Sequence, residues 1–103
     1  MKDKQKIYKV SLSDNSKRML IEHILFLSEI STDAAQRLRD KLYRSCESLC
    51  IMPHRCPKFI SHKTEESYRR LIVGRHQIIF SINEEECAVN IQYILDSRQN
   101  NDI

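Results

Sequence analysis

The segment Ser67-Tyr68-Arg69-Arg70-Leu71-Ile72-Val73-Gly74-Arg75-His76-Gln77-Ile78-Ile79-Phe80-Ser81-Ile82 decides the fold. It holds the chain's single glycine, Gly74, between two runs rich in β-branched and aromatic residues. Glycine at the first central position is what a two-residue type II′ hairpin turn requires, because that position needs φ > 0. Tyr68–Val73 and His76–Ile82 therefore read as adjacent antiparallel strands. With a two-residue turn, Val73 faces His76, Leu71 faces Ile78 and Arg69 faces Phe80. Side chains alternate with period two, so these six share one face. Tyr68, Arg70, Ile72, Gln77, Ile79 and Ser81 share the other. The first face is largely apolar and the second mixed, as expected of a sheet packed on one side only.

Outward from the hairpin toward the C-terminus, Asn83-Glu84-Glu85-Glu86 makes a polar turn and Cys87–Asp96 a third long strand. Strict alternation sends Val89, Ile91, Tyr93 and Leu95 to the covered face. It sends Ala88, Asn90, Gln92, Ile94 and Asp96 to the open face, with Arg98 following if the strand continues. Residues 97–103 form a short polar tail.

Toward the N-terminus, His54–Glu66 lacks any clear period and reads as a basic loop, with Pro53 and Pro57 breaking regular structure before it. Ala35, Leu38, Leu42, Cys46 and Leu49 recur at steps of three and four, the stripe of a helix facing a core. Asp33, with Gln36 three residues on, is the expected cap of that helix. A first helix over Ser16–Ile30 is expected from Leu20, Ile21, Ile24, Leu27 and Ile30, after capping residues Ser13-Asp14-Asn15. The short link between the helices makes them an antiparallel hairpin. Ile7–Leu12 alternates as a half-buried strand, with Tyr8, Val10 and Leu12 on one side. The order is β-α-α-β-β-β: an α+β domain over residues 1–103, in which a helical hairpin packs on one face of a small, mainly antiparallel four-stranded sheet. The first strand is expected beside the last.

The 103 residues suffice for one domain with a modest core. A formal net charge of +3 permits an acidic partner without demanding one. No apolar run approaches the roughly 20 residues that span a bilayer. Charged Met1–Lys6 has no apolar segment behind it, so no secretion signal is expected and the cytoplasm is the expected address. Reduced thiols are then expected at Cys46, Cys50, Cys56 and Cys87. Their spacing, with His54, fits none of the usual paired CxxC patterns, so buried structural thiols are expected rather than zinc. No metal and no cofactor are anticipated.

Tyr68 to Phe80 resembles, in register, the Tyr-Arg-x-Leu-x-Val-Gly-x-Tyr-Arg-Ile-x-Tyr stretch of the RelE/ParE superfamily of bacterial toxins. Ile94-Leu95-Asp96-Ser97-Arg98-Gln99 is similar to that superfamily's closing segment. Asp33-Ala34-Ala35 and Leu49 with Pro53 fit its second helix. The resemblance covers nearly the whole chain. It implies the toxin of a type II toxin–antitoxin (plasmid stabilisation) module. It also implies a cognate antitoxin as partner, with no membrane partner. RelE-like members cut messenger RNA on the ribosome, whereas ParE-like members poison DNA gyrase. RNA cleavage through the 2′-OH needs a base, an acid and cations for the developing phosphate charge. Gln77 stands where RelE-like nucleases keep an Arg, and no Tyr follows Tyr93. These departures favour gyrase inhibition, with Arg69, Arg75, Arg98 and Gln99 as target-binding residues. Were the chain a nuclease, Tyr68, Arg70, Gln77 and Arg98 would be its catalytic set, with His54, His62 or His76 as substitutes. An inactive relative retaining only antitoxin binding is the third reading. Met19, Leu25 and Phe26, apolar residues left over by the helical hairpin, are the expected antitoxin contacts.

Overall fold

The computed structural model describes residues 5–60 and 67–97. Within them lie β1 (Lys9–Leu12), α1 (Asp14–Ser28), α2 (Thr32–Glu47), 3₁₀ turns at Ser48–Cys50 and Pro53–Arg55, β2 (Lys58–Phe59), β3 (Tyr68–Val73), β4 (His76–Asn83) and β5 (Ala88–Asp96). The sheet runs β1-β5-β4-β3-β2, with β1 parallel to β5 and every other pair antiparallel. The helical hairpin, the mixed sheet and the β1–β5 adjacency are as expected.

The β3–β4 hairpin carries the expected register: Arg69 faces Phe80, Leu71 faces Ile78 and Val73 faces His76. Gly74 has φ +61 and Arg75 keeps a negative φ, which excludes type I′ and accords with the type II′ turn. Four-strandedness is corrected to five. Lys58 and Phe59, inside the stretch read as loop, pair with Arg69 and Tyr68 at the sheet's edge. Two residues directly after Pro57 leave no period to read, so only pairing reveals them.

Helix capping differs in detail. Ser13 Oγ accepts from Ser16 N at the start of α1, and Ser31, two residues before Asp33, caps α2 by accepting from Ala34 N. Asp33 instead pairs with Arg37 one turn on. The main core lies between the helices and the sheet: Leu20, Leu42, Cys46 and Leu49 meet Tyr8, Val73, Ile78, Phe80, Val89, Ile91 and Ile94.

Strict alternation in the last strand is overturned. Ile79 pairs with Tyr93 and Phe80 with Ile91, leaving Gln92 as the extra residue of a β-bulge. Beyond it parity inverts. Ile94 lies in the main core, while Leu95 and Tyr93 join Tyr68 and Ile79 on the opposite face. The cause lies in the neighbour. Pairing with β1 stops at Leu12 opposite Ile91, and the cap of α1 takes over the exposed edge. Ser13 N and Ser16 Oγ both donate to the Ile91 carbonyl, at 2.9 and 3.0 Å. Ser13 Oγ and Asn15 Nδ2 reach the Gln92 carbonyl at 3.3 and 3.5 Å. Side chains satisfy carbonyls that a strand would otherwise have held in register.

Candidate functional site

The face of the sheet away from the helices carries the expected residues Tyr68, Arg70 and Gln77 on the adjacent strands β3 and β4. Arg70 Nη1–H reaches Gln77 Oε1 at 3.4 Å, and its guanidinium lies 5.5 Å from the Phe59 ring centroid. Arg70 Nε is buried, with no hydrogen-bond partner among the described residues. The bulge adds a residue that alternation had sent to the core. Tyr93 stands edge-on to Tyr68, ring centroids 6.1 Å apart. Neither phenol belongs to a fully open surface. Tyr68 is 5% exposed, and Ile79 beneath is fully buried by Phe59, Met19, Tyr93 and Leu95 around it. The face is thus partly closed by a small apolar cluster, because its aromatic side chains lie across Ile79 instead of standing in solvent. Gln92 is the bulge residue; Arg98 and Gln99 lie outside the described residues, as does His62.

Arg69 points to the other side and donates to the carbonyls of Cys56 at 2.6 Å and His54 at 3.3 Å, binding β3 to the Pro53–Arg55 turn. Arg75 is exposed at the hairpin tip. His54 belongs to a polar corner at the opposite end of the sheet. There the Glu84 carboxylate accepts from Tyr8 Oη at 2.8 Å, contacts His54 Nε2 and lies 3.4 Å from Lys6 Nζ. The Tyr8 hydroxyl and then His54 hold the Glu84 carboxyl below its usual range, and the same hydrogen bond pushes the Tyr8 phenol up. Burial pushes the Cys46 thiol up to about 11, which makes it an inert core side chain. Among the described residues no group of three or more His, Cys, Asp or Glu is placed to hold a metal.

A second feature went unread in the sequence. Between α1, α2 and the β3–β4 turn lies a groove of about 700 Å³. Met19, Phe26, Leu27, Ile30, Leu38 and Val73 supply its apolar walls. His76 and Asp96, cross-strand neighbours, line its sheet end, and the His23 ring approaches His76 at 5.2 Å. Of the three expected antitoxin contacts, Met19 and Phe26 line this groove; Leu25 is exposed beside it on α1. Ile21 (55% exposed), Leu25 (59%) and Phe26 (67%) of α1, with Ile30 (72%) just past its C-cap, present an apolar face to solvent. A face of that kind on a small domain marks an interaction surface. No helix among the described residues is long and apolar enough to cross a membrane.

A family profile described as the ParE toxin of the type II toxin–antitoxin system parDE matches residues 10–101. Among solved structures, a chain of the RelBE2 toxin–antitoxin complex from Mycobacterium tuberculosis superposes with a TM-score of 0.62 at 17% identity. The alignment covers 92% of this chain and 97% of that one. At that identity the likeness is one of fold. No curated protein matches in sequence.

Proposed function

We propose, on the premise that this chain belongs to the ParE toxin family of type II toxin–antitoxin systems, that it arrests growth by binding DNA gyrase and that a cognate antitoxin restrains it. The observation that carries the gyrase reading is the state of Arg70. Its guanidinium is held against the Gln77 amide and the Phe59 ring, at the rim of an apolar cluster. A nuclease needs cations free to meet a phosphate as its charge grows; a binding surface needs a fixed shape. Arg75 at the exposed hairpin tip, with Arg98 and Gln99, supplies the target contacts in this reading. Arg69, engaged with two carbonyls, serves by holding the edge of the sheet. The antitoxin covers the apolar face of α1 through Met19, Leu25 and Phe26.

A supercoiling assay with purified protein tests the target. Loss of gyrase supercoiling, or a trapped cleavage complex, is the expected result. Unchanged supercoiling at excess toxin rejects it.

One observation favours a second reading, ribosome-dependent RNA cleavage. The bulge puts the Tyr93 phenol beside Tyr68 on the face of Arg70, so that two proton-bearing groups neighbour a cation. Primer extension on messages after induction separates the two. New ends within codons, abolished by Tyr93→Phe with Arg70→Ala, support cleavage. Intact messages during arrest support the gyrase reading.

A further inference from the structure

The two ends of the α1–α2 groove differ in charge. At one end Arg18 is neutralised, reaching Glu22 at 3.1 Å and Asn15 at 2.5 Å. At the other end Lys41, from α2, extends over the hairpin turn. Its Nζ lies 3.3 Å from where a Cβ on Gly74 would stand. Arg75 follows in the same turn, and both residues line the groove. Neither forms an ion pair among the described residues. Two cations with no ion pair among the described residues thus border a trough whose apolar walls are Phe26, Ile30, Leu38 and Val73, with the buried Asp96 also lining its sheet end. An apolar segment seated there removes water from beside them, which strengthens their attraction for an anion.

We infer that Lys41 and Arg75 form a clasp for a carboxylate of the partner. The segment that fills the groove is an apolar stretch of antitoxin carrying an Asp or Glu aligned with the β3–β4 turn. This rests on the antitoxin reading above and adds to it the register in which the partner lies. The clasp is solvent-accessible at the groove's rim. Such charges act chiefly on the association rate, on salt dependence and on rejection of wrong partners, while the apolar walls hold the complex together. Gly74 contributes by its lack of a side chain, since a Cβ there would crowd the Lys41 ammonium.

The test measures binding of the product of the adjacent reading frame to the full chain by stopped flow and calorimetry. The proteins compared are wild type, Lys41→Glu/Arg75→Glu, and Phe26→Asp. The clasp predicts that the double charge reversal weakens binding by about tenfold or more at low ionic strength, mostly through the association rate. It also predicts that the wild-type advantage shrinks as salt rises from about 0.05 to about 0.5 M. Reversal of one acidic residue of the partner to Lys should restore affinity for the double variant. Equal binding by wild type and double variant, with Phe26→Asp still disruptive, overturns the clasp and leaves the antitoxin reading standing. Failure of the wild type itself to bind overturns both. Unchanged thermal unfolding of the double variant shows that the fold is intact, since both side chains are exposed and form no ion pair among the described residues.

Discussion

The β3–β4 hairpin and the strand β5 are built from similar residues and obey different rules. In the hairpin every pair from Arg69–Phe80 to Val73–His76 falls where period two puts it, because one glycine fixes the turn and the turn fixes the register. In β5 the same periodicity holds from Val89 to Ile91 and then inverts, because Gln92 is inserted where the cap of α1 replaces β1 as the edge partner. A local turn protects its own register. A strand whose neighbour changes midway does not inherit that protection. The functional consequence is that Tyr93 leaves the core for the face of Arg70, and Asp96 turns to the groove beside His76.

The contrast is broken most severely in the core. Ile94 is fully buried in the main cluster, whereas Leu95 belongs to the smaller one at 4% exposure. Ile94→Ala should lower unfolding free energy by about 2–5 kcal/mol, and Leu95→Ala by less, near the low end of that range. Strict alternation predicts the opposite ranking; chemical denaturation of the two variants decides. Deleting Gln92 should be tolerated, since removal of the bulge residue restores a regular ladder with Ile91 and Ile94 on the core face. The expected cost is about 1–3 kcal/mol, from the loss of the carbonyl that anchors Ser13 and Asn15. Collapse to an unfolded chain would mean that β5 is regular.

Within the hairpin, Gly74→Ala tests the turn. At φ +61 an alanine bears left-handed strain of about 1–2 kcal/mol, and its Cβ would displace Lys41. Thermal unfolding of Gly74→Ala should show this loss, and Gly74→Ala/Lys41→Ala should recover only the crowding. The smallest effect lies at the corner that joins the N-terminal segment to the β4–β5 turn. Glu84 has a depressed folded-state value, so its contribution is fully present above the usual carboxylate range and is lost as pH falls through the depressed value. Tyr8→Phe removes the principal cause, so it should lower stability slightly in the neutral range, leave the strongly acid value little changed and thereby flatten the acid limb of stability against pH.

Hairpin, helical pair and the β1–β5 adjacency follow from a lone glycine, a spacing of three and four, and a crossover, all of which are local or topological; the parallel sense of that pair is added by the structure. Arg70 and Gln77 were placed together by the same parity. Tyr93 was misplaced because a bulge depends on which groups occupy the neighbouring edge. One signal was present: Tyr93-Ile94-Leu95 sets three consecutive apolar residues in a strand supposed to alternate, as two-sided burial does. Strand β2 and the groove were invisible. The first has two residues, and the second is a space between elements whose lining comes from four separate stretches of the chain.

The position of the Tyr93 ring tests this account most directly. In a nuclear Overhauser spectrum of the folded protein, its ring protons should show cross-peaks to Tyr68 and Ile79, across the sheet from the helices. Cross-peaks from Tyr93 to Leu20, Leu42 or Cys46 instead would put it in the main core and contradict the parity switch on which the assignment of the face depends.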